Sequence, residues 1–210
     1  MKTVLQILLT IAIILLAYMA VESINRPVRF QQEYESRRDK VIERLKEIRS
    51  AQVAYRSMHG EFTSSFDTLS NFIAEDSLVL VRMEGNLTDS MLDAGMTERQ
   101  ALDLGIISRD TIRRSVKDSL FRNKSWILDS ISYIPYSQGE KFEMEKGNVE
   151  TASGIKVPVF QAQAHNNTFT KDLNRQEVIN INDRQTQLDR YPGLRVGSIE
   201  QANNNAGNWE

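Results

Sequence analysis

The sequence contains no cysteine. This absence excludes disulfide bonds, thiolate zinc sites, a cysteine nucleophile and lipid attachment to an N-terminal cysteine. Only two histidines are present, His59 and His165, and they lie far apart in unlike sequence surroundings. The chain also lacks the patterns of a nucleophile elbow, a glycine-rich phosphate loop and a two-histidine zinc helix. We therefore predict no catalytic residue, no cofactor and no metal, and we identify no small-molecule substrate.

The chain also lacks a large excess of charge of either sign. The formal net charge is −2, from 26 Lys/Arg and 28 Asp/Glu, so no general basic field indicates a nucleic-acid partner. The charge is nevertheless uneven, with nine basic and six acidic residues in 22–59, and sixteen and twenty-two after residue 60. The sequence therefore predicts a mildly basic stalk that leads into an acidic body.

A long apolar run lies at the N-terminus. From Val4 to Val21 it reads VLQILLTIAIILLAYMAV, and only Gln6 and Thr10 are clearly polar. Such a run is about the minimum length of a helix that crosses a hydrocarbon core of roughly 30 Å. It exceeds the 7–15 residues typical of a signal-peptide core, and no small-x-small cleavage site follows. We predict a retained signal-anchor over residues 1–22 and the lipid bilayer as a partner; a cleaved signal peptide and a buried soluble helix are the alternatives.

The orientation of this anchor is predicted from two opposing arguments. Only Lys2 precedes the apolar run, whereas several arginines follow it, and the positive-inside rule would then keep the body in the cytoplasm. Long domains translocate largely regardless of charge, however, and short cytoplasmic tails are common among single-pass bacterial proteins. We favour a bacterial inner-membrane protein whose domain is extracytoplasmic.

Residues 23–60 predict an amphipathic stalk or spine helix. Pro27 favours a kink or a fresh helix start, and Gly60 is expected to end the helix. Too few clean heptads are present for an autonomous coiled coil, and the polar residues Arg38 and Gln52 are predicted to lie on the seam, so we expect the apolar stripe to pack on the chain's own domain. The pattern recurs mostly at threes and fours from Tyr34 through Gln52 to Tyr55. The residues expected to carry the packing are Val41, Leu45, Ile48 and Tyr55.

Together these features resemble the type IV pilin and pseudopilin family over roughly residues 4–69. The matching positions are Pro27, Ala51, Ala54, Tyr55, Gly60, Phe62 and Leu69. The resemblance implies that one helix is half membrane anchor and half spine for a small antiparallel sheet, in a subunit that packs against other subunits. The processing site of that family, a glycine before an aromatic residue with a glutamate five residues into the mature helix, is absent. The layout is also similar to that of the monotopic assembly-platform proteins of pili and type II secretion systems.

Beyond Gly60 the sequence predicts a domain over residues 61–199 and a polar tail over residues 200–210. We expect short helices in FDTLSNFIAE, capped by Ser65 or Asp67, and in MTERQALDLG, capped by Thr97. SLVLVRMEG predicts a strand, and the segments 110–121 and 130–165 predict a meander of strands between turns. The predicted fold class is therefore α+β, a long N-terminal helix packed on a small antiparallel sheet.

Six aspartates are each followed by Ser or Thr and then by an aliphatic residue. This triplet is similar to the O-glycosylation signal of extracytoplasmic proteins in bacteria of the Bacteroides group. Helix N-caps and strand-entry turns have the same composition and are the alternative explanation. The candidate acceptors are Thr68, Ser77, Ser90, Thr111, Ser119 and Ser130.

From these observations we predict a non-enzymatic structural subunit of a bacterial envelope assembly. Its partners would be the bilayer and other protein subunits, in a homo-oligomer or an envelope complex. A pilin-like role predicts many copies side by side, whereas an assembly-platform role predicts a fixed dimer or hetero-pair. A membrane-tethered ligand-binding module is the alternative from another class of function, and a deep pocket would favour it.

Overall fold

The computed structural model of the chain describes residues 2–151 and 154–210. It has a long N-terminal helix and antiparallel strands, which confirms the α+β class. The helices are α1 (Lys2–His59), α2 (Phe66–Glu75), α3 (Asp89–Asp93), α4 (Glu98–Asp103), α5 (Val116–Leu120), α6 (Ile127–Ser130), α7 (Asn166–Phe169) and α8 (Arg175–Gln187). The strands are β1 (Ser77–Glu84), β2 (Ser108–Ser115), β3 (Glu143–Glu150), β4 (Lys156–His165) and β5 (Gly193–Gly197).

Helix α1 is a single element of 58 residues, and Pro27 lies inside it rather than at the start of a second helix. At 1.5 Å per residue it is about 87 Å long. Gly60 follows α1 directly with a φ of +80°, a backbone conformation that glycine adopts without the steric cost of a Cβ atom. Helix α1 is therefore long enough to supply both an anchor and a spine.

The chain divides into two compact units, and α1 continues from one into the other. The first unit consists of Met1–Arg49 and Ser132–Glu210, and the second consists of Ser50–Ile131. The second unit is thus inserted in sequence between the helix and the three-stranded sheet of the first.

The first unit contains the sheet β3-β4-β5, in which both pairs of neighbours are antiparallel. The central strand β4 buries Phe160, Ala162 and Ala164 along one face. Leu194 of β5 pairs with Ala164 in register and is also buried. The small alanines of this face leave room for close approach of another element, as expected for a sheet that packs on a helix.

The C-terminal tail is attached to β5. The Asn208 side chain accepts a hydrogen bond from the Arg195 backbone N–H at 3.1 Å and donates one to the Gly193 carbonyl at 2.9 Å. Gly207 forms a bridge with Val196, and the Trp209 ring is half-buried. The polar tail is therefore ordered by hydrogen bonds along the edge of the sheet.

The second unit contains a two-stranded antiparallel ribbon, β1 with β2, and several short helices. Helix α2 has Ser65 as its N-cap, and α4 begins with a capping box between Thr97 and Gln100. The apolar residues of α2 that face the core are Leu69, Phe72 and Ile73. The capped helices and β1 lie where the sequence predicts them.

The predicted meander of strands is only partly correct. The strands form two separate sheets, and the segment between β2 and β3 contains α5 and α6 instead of further strands. Sequence patterning also gave no indication of α8, because this helix is polar almost all round and buries only Val178. A helix without an apolar stripe has no periodic signal by which it could be found.

Candidate functional site

The second half of α1 carries a buried stripe, which is the candidate site for packing. Within the first unit the stripe contains the fully buried residues Val41, Leu45 and Ile48, three of the four residues predicted to carry it. Phe30 and Tyr34 extend the stripe towards the N-terminus and stack with ring centroids 6.0 Å apart. Burial of these side chains within the unit gives the helix the geometry of a spine.

The buried charged residues of α1 in the first unit are Arg37 and Glu47, and Arg37 lies on the stripe between Tyr34 and Val41. The guanidinium of Arg37 donates hydrogen bonds to both carboxylate oxygens of Asp172, with Nη2 and Oδ2 2.7 Å apart, and to the Phe169 carbonyl at 3.0 Å. It also pairs with Glu33 one turn earlier, at 2.9 Å. Two carboxylates and a carbonyl thus offset the cost of burying the charge. The Arg37–Asp172 pair fastens α1 to the segment between α7 and α8.

Sequence reasoning placed Arg38 on this seam instead of Arg37. In the structure Arg38 is half-exposed and Arg37 is buried. The spacing from Tyr34 to Val41 admits an intermediate stripe position at either residue 37 or residue 38. Only the partner Asp172, which is 135 residues away in sequence, decides between them.

Asn166 is the second polar residue that organises the first unit. Its carboxamide oxygen accepts a hydrogen bond from the Tyr34 hydroxyl at 3.2 Å, and its nitrogen donates to Asn182 and Gln185 of α8 at 2.9 Å each. Its backbone N–H bonds to the Pro192 carbonyl just before β5. One buried amide thus connects α1, α7, α8 and the start of β5. No pattern in the sequence indicates this role.

The end of α1 belongs to the second unit. Gln52 is buried, and its side chain donates to the Thr63 carbonyl at 2.6 Å and accepts from the Thr63 N–H at 3.2 Å. Tyr55 is half-buried, and its ring meets Phe72 edge-on with centroids 5.3 Å apart. His59 packs against the same two rings. These contacts hold the chain in its turn after Gly60.

The first part of α1 is apolar and exposed. Its large apolar side chains from Val4 to Val21 whose placement is described have more than half of their surface exposed. Ile24 is 70% exposed and Val28 is 50% exposed. Among the described residues, α1 is the one helix that is long and apolar enough to cross a membrane. An exposed apolar surface of this size needs a covering, which lipid or another protein supplies.

The six candidate glycosylation sites all lie in the second unit. Thr68, Ser77, Ser90 and Thr111 are exposed, whereas Ser119 and Ser130 are half-buried. The aspartates of four triplets lie in the first turns of α2, α3, α5 and α6, where a negative charge complements the helix dipole. The triplet that begins with Asp110 lies within β2 and has no such structural explanation.

An open polar pocket of about 410 Å³ lies beside the end of β4 in the first unit. Glu143 accepts a hydrogen bond from the Gln163 side chain at 2.7 Å, and Lys171 pairs with Glu140. His165 Nδ1 accepts a hydrogen bond from the Asn167 N–H at 3.1 Å, and burial lowers the pKa of its imidazole. The residues that line the pocket include Glu140, Glu143, Gln163, His165, Thr168 and Lys171.

The side chains around this pocket can donate and accept hydrogen bonds. A neutral imidazole whose Nδ1 is already bonded leaves its Nε2 for a ligand. Within residues 2–151 and 154–210, no three His, Asp or Glu side chains are grouped so as to hold a metal ion. No protein-family model, curated protein or solved structure matches the chain.

Proposed function

We propose that this chain is a non-enzymatic structural subunit of a bacterial cell-envelope assembly. The first part of α1 holds it in the inner membrane, and the rest of the chain lies outside the cytoplasm. The observation that carries the proposal is the division of α1 into an exposed apolar half and a buried half within one uninterrupted helix. A soluble protein has no need of a helix built in this way.

The pilin-like form of this role is supported by the way in which α1 is fastened. The Arg37–Asp172 pair, the Tyr34–Asn166 bond and a 2.7 Å contact between Arg49 and Glu210 attach its second half to the first unit. Among the described residues 2–29, the hydrogen bonds and ion pairs stay within α1, so the apolar surface of this half is available to pack with other subunits in the membrane. The missing prepilin processing site indicates that the retained N-terminus stays in the bilayer.

Cysteine crosslinking in native membranes tests subunit packing. Ile14 and Leu16 are exposed and lie two residues apart, so they project from nearly opposite sides of α1. A double variant, Ile14→Cys with Leu16→Cys, is expected to give an oxidation-dependent ladder of multimers if many copies lie side by side. The wild-type chain has no cysteine and is the matched control.

A single dimer band from the same variant would favour the assembly-platform form of the role. A band that stays monomeric at native expression levels would contradict packing through α1.

A membrane-tethered ligand-binding module is the second candidate function, and the pocket beside His165 favours it. Native mass spectrometry of the chain purified from its own membranes would detect a small molecule that stays bound. Thr168→Tyr, which fills the pocket, would then abolish the adduct, and Thr186→Tyr on exposed α8 would leave it. A chain that carries no adduct would exclude this second role.

A further inference from the structure

A second cavity of the first unit lies at the membrane end of α1. It has a volume of about 530 Å³ and is formed between α1 and the first turn of α8. Its lining residues are Tyr18, Met19, Glu22, Ser23, Arg26 and Pro27 on α1, the N-cap residue Asn174 before α8, and Gln176 and Glu177 on α8.

The position of this cavity along α1 matches the end of the apolar run at Val21. Its α1 wall, residues 18–27, covers about 13 Å of helix, at 1.5 Å per residue. If the apolar run spans the hydrocarbon core, this wall crosses the layer of lipid headgroups. Tyr18 and Met19 then face the upper acyl chains, and Glu22 and Arg26 face the headgroups.

The α1 wall is suited to a phosphate. Glu22 pairs with Arg26 at 3.0 Å and with Arg29 at 2.9 Å, so one carboxylate is shared by two guanidinium groups. This group of three side chains keeps a net positive charge. The side chains of Arg26 and Arg29 are 68% and 66% exposed, which leaves N–H donors for a phosphate oxygen.

The α8 wall is suited to an ammonium group. Asn174 caps α8 by accepting hydrogen bonds from the backbone N–H groups of Gln176 and Glu177 at 3.0 and 3.3 Å. Because these donors are already bonded, the helix terminus is a poor site for an anion. The charged group on this wall is the half-buried Glu177 carboxylate, which attracts a cation that can donate hydrogen bonds.

We propose that this cavity binds the headgroup of a zwitterionic phospholipid that carries a primary ammonium group. Its phosphate contacts Arg26, its ammonium group contacts Glu177, and its acyl chains pass beside Tyr18 and Met19. The lipid fixes the height and rotation of the first unit above the bilayer. This inference rests on the proposed membrane anchoring and adds a specific lipid partner to it.

Native mass spectrometry tests the proposal. The full chain is released from nanodiscs of equimolar phosphatidylethanolamine, phosphatidylcholine and phosphatidylglycerol, and the retained lipids are counted. Phosphatidylethanolamine is expected to be retained several-fold over phosphatidylcholine, whose quaternary ammonium donates no hydrogen bond. Glu177→Gln is expected to abolish this preference, and Arg26→Gln to lower the retention of all three lipids.

The charge reversal Glu177→Lys should shift the lipid preference to phosphatidylglycerol. A variant that only fails to fold would lose its preference and would not gain a new one. Arg175→Gln and Glu145→Gln change exposed charges outside the cavity and serve as matched controls. Equal retention of phosphatidylethanolamine and phosphatidylcholine by the wild type would overturn the proposal. So would a wild-type preference for phosphatidylglycerol, which would indicate attraction to surface charge alone.

Extraction of membranes at alkaline pH separates this inference from the proposed function. A chain that stays in the membrane but shows no headgroup preference overturns the lipid site alone. A chain released into the supernatant overturns the anchoring as well.

Discussion

At the scale of single residues, two buried polar side chains organise the first unit. Arg37 and Asn166 each connect α1 with segments more than 100 residues away in sequence. Such partners cannot be read from a local pattern, because a polar residue on an apolar stripe gives no indication of what it bonds. The apolar stripe itself was predictable, since Val41, Leu45 and Ile48 recur at helical spacing and are buried.

The first prediction concerns Asp172. Its hydrogen bonds with Arg37 lower the pKa of this carboxyl from 3.8 to about 2. Asp172→Asn removes the charge and leaves the buried guanidinium with fewer acceptors, and such losses cost roughly 1–3 kcal/mol. We expect a value at the lower end, because the Asp172 side chain is 60% exposed and solvent screens the pair. Chemical unfolding of the full chain in detergent at neutral pH measures the loss, with Asp183→Asn on exposed α8 as the control.

The stability difference between the wild type and Asp172→Asn is expected to depend on pH. The pKa of Asp172 is lower in the folded chain than in the unfolded chain, so its contribution to stability is present above the ordinary value of 3.8. That contribution decreases as the pH falls below 3.8 and is lost through about 2. The melting temperatures of the wild type and of Asp172→Asn should therefore converge in this range. A difference that is constant from pH 7 to 2 would contradict the assignment.

A further residue-scale prediction concerns the Asp-Ser/Thr triplets. If the second unit lies outside the cytoplasm, we expect hexose-containing mass increments on exposed acceptors, above all on Thr111, whose triplet has no helix-capping explanation. The half-buried Ser119 and Ser130 should stay unmodified. Peptide mass spectrometry of the chain from its native host makes the measurement, with Thr111→Val as the control. Unmodified peptides at all four exposed acceptors, Thr68, Ser77, Ser90 and Thr111, would contradict the glycosylation signal.

At the scale of elements, α1 was the most predictable part of the chain and α8 the least. Helix α1 combines an apolar run with a helical stripe, and both signals are strong over many residues. Helix α8 is held by the Asn174 cap and by bonds from Asn166 to Asn182 and Gln185 rather than by an apolar face. The division of the strands into two sheets depends on long-range pairing, which strand propensity does not determine.

The stability of the second half of α1, the spine, is tested by comparing one buried and one exposed position. Leu45 is fully buried, so Leu45→Ala should leave a cavity and lower the free energy of unfolding by about 2–5 kcal/mol. Val53 lies on the same helix with 46% of its surface exposed, and Val53→Ala should cost less than about 1 kcal/mol. Denaturant unfolding of the two variants side by side measures the difference. Equal losses would mean that the stripe does not carry the packing.

At the scale of the whole molecule, we propose that one helix serves two environments. Its first half is exposed and apolar, and its second half is buried, up to Arg49 within the first unit and beyond it within the second. Sequence composition was sufficient to predict this division, because the first half is apolar on all sides and the second half is apolar on one side. The cavity between α1 and α8 depends on tertiary structure and could not be predicted.

The labelling of single cysteines in spheroplasts, before and after lysis, shows on which side of the membrane the domain lies. The chain has no cysteine, so Gln201→Cys on the exposed tail and Lys2→Cys at the other end of the apolar run each give one reactive site. With a membrane-impermeant maleimide, we expect Gln201→Cys to be labelled in spheroplasts before lysis and Lys2→Cys only after lysis. Labelling of Gln201→Cys only after lysis would place the domain in the cytoplasm and contradict the account.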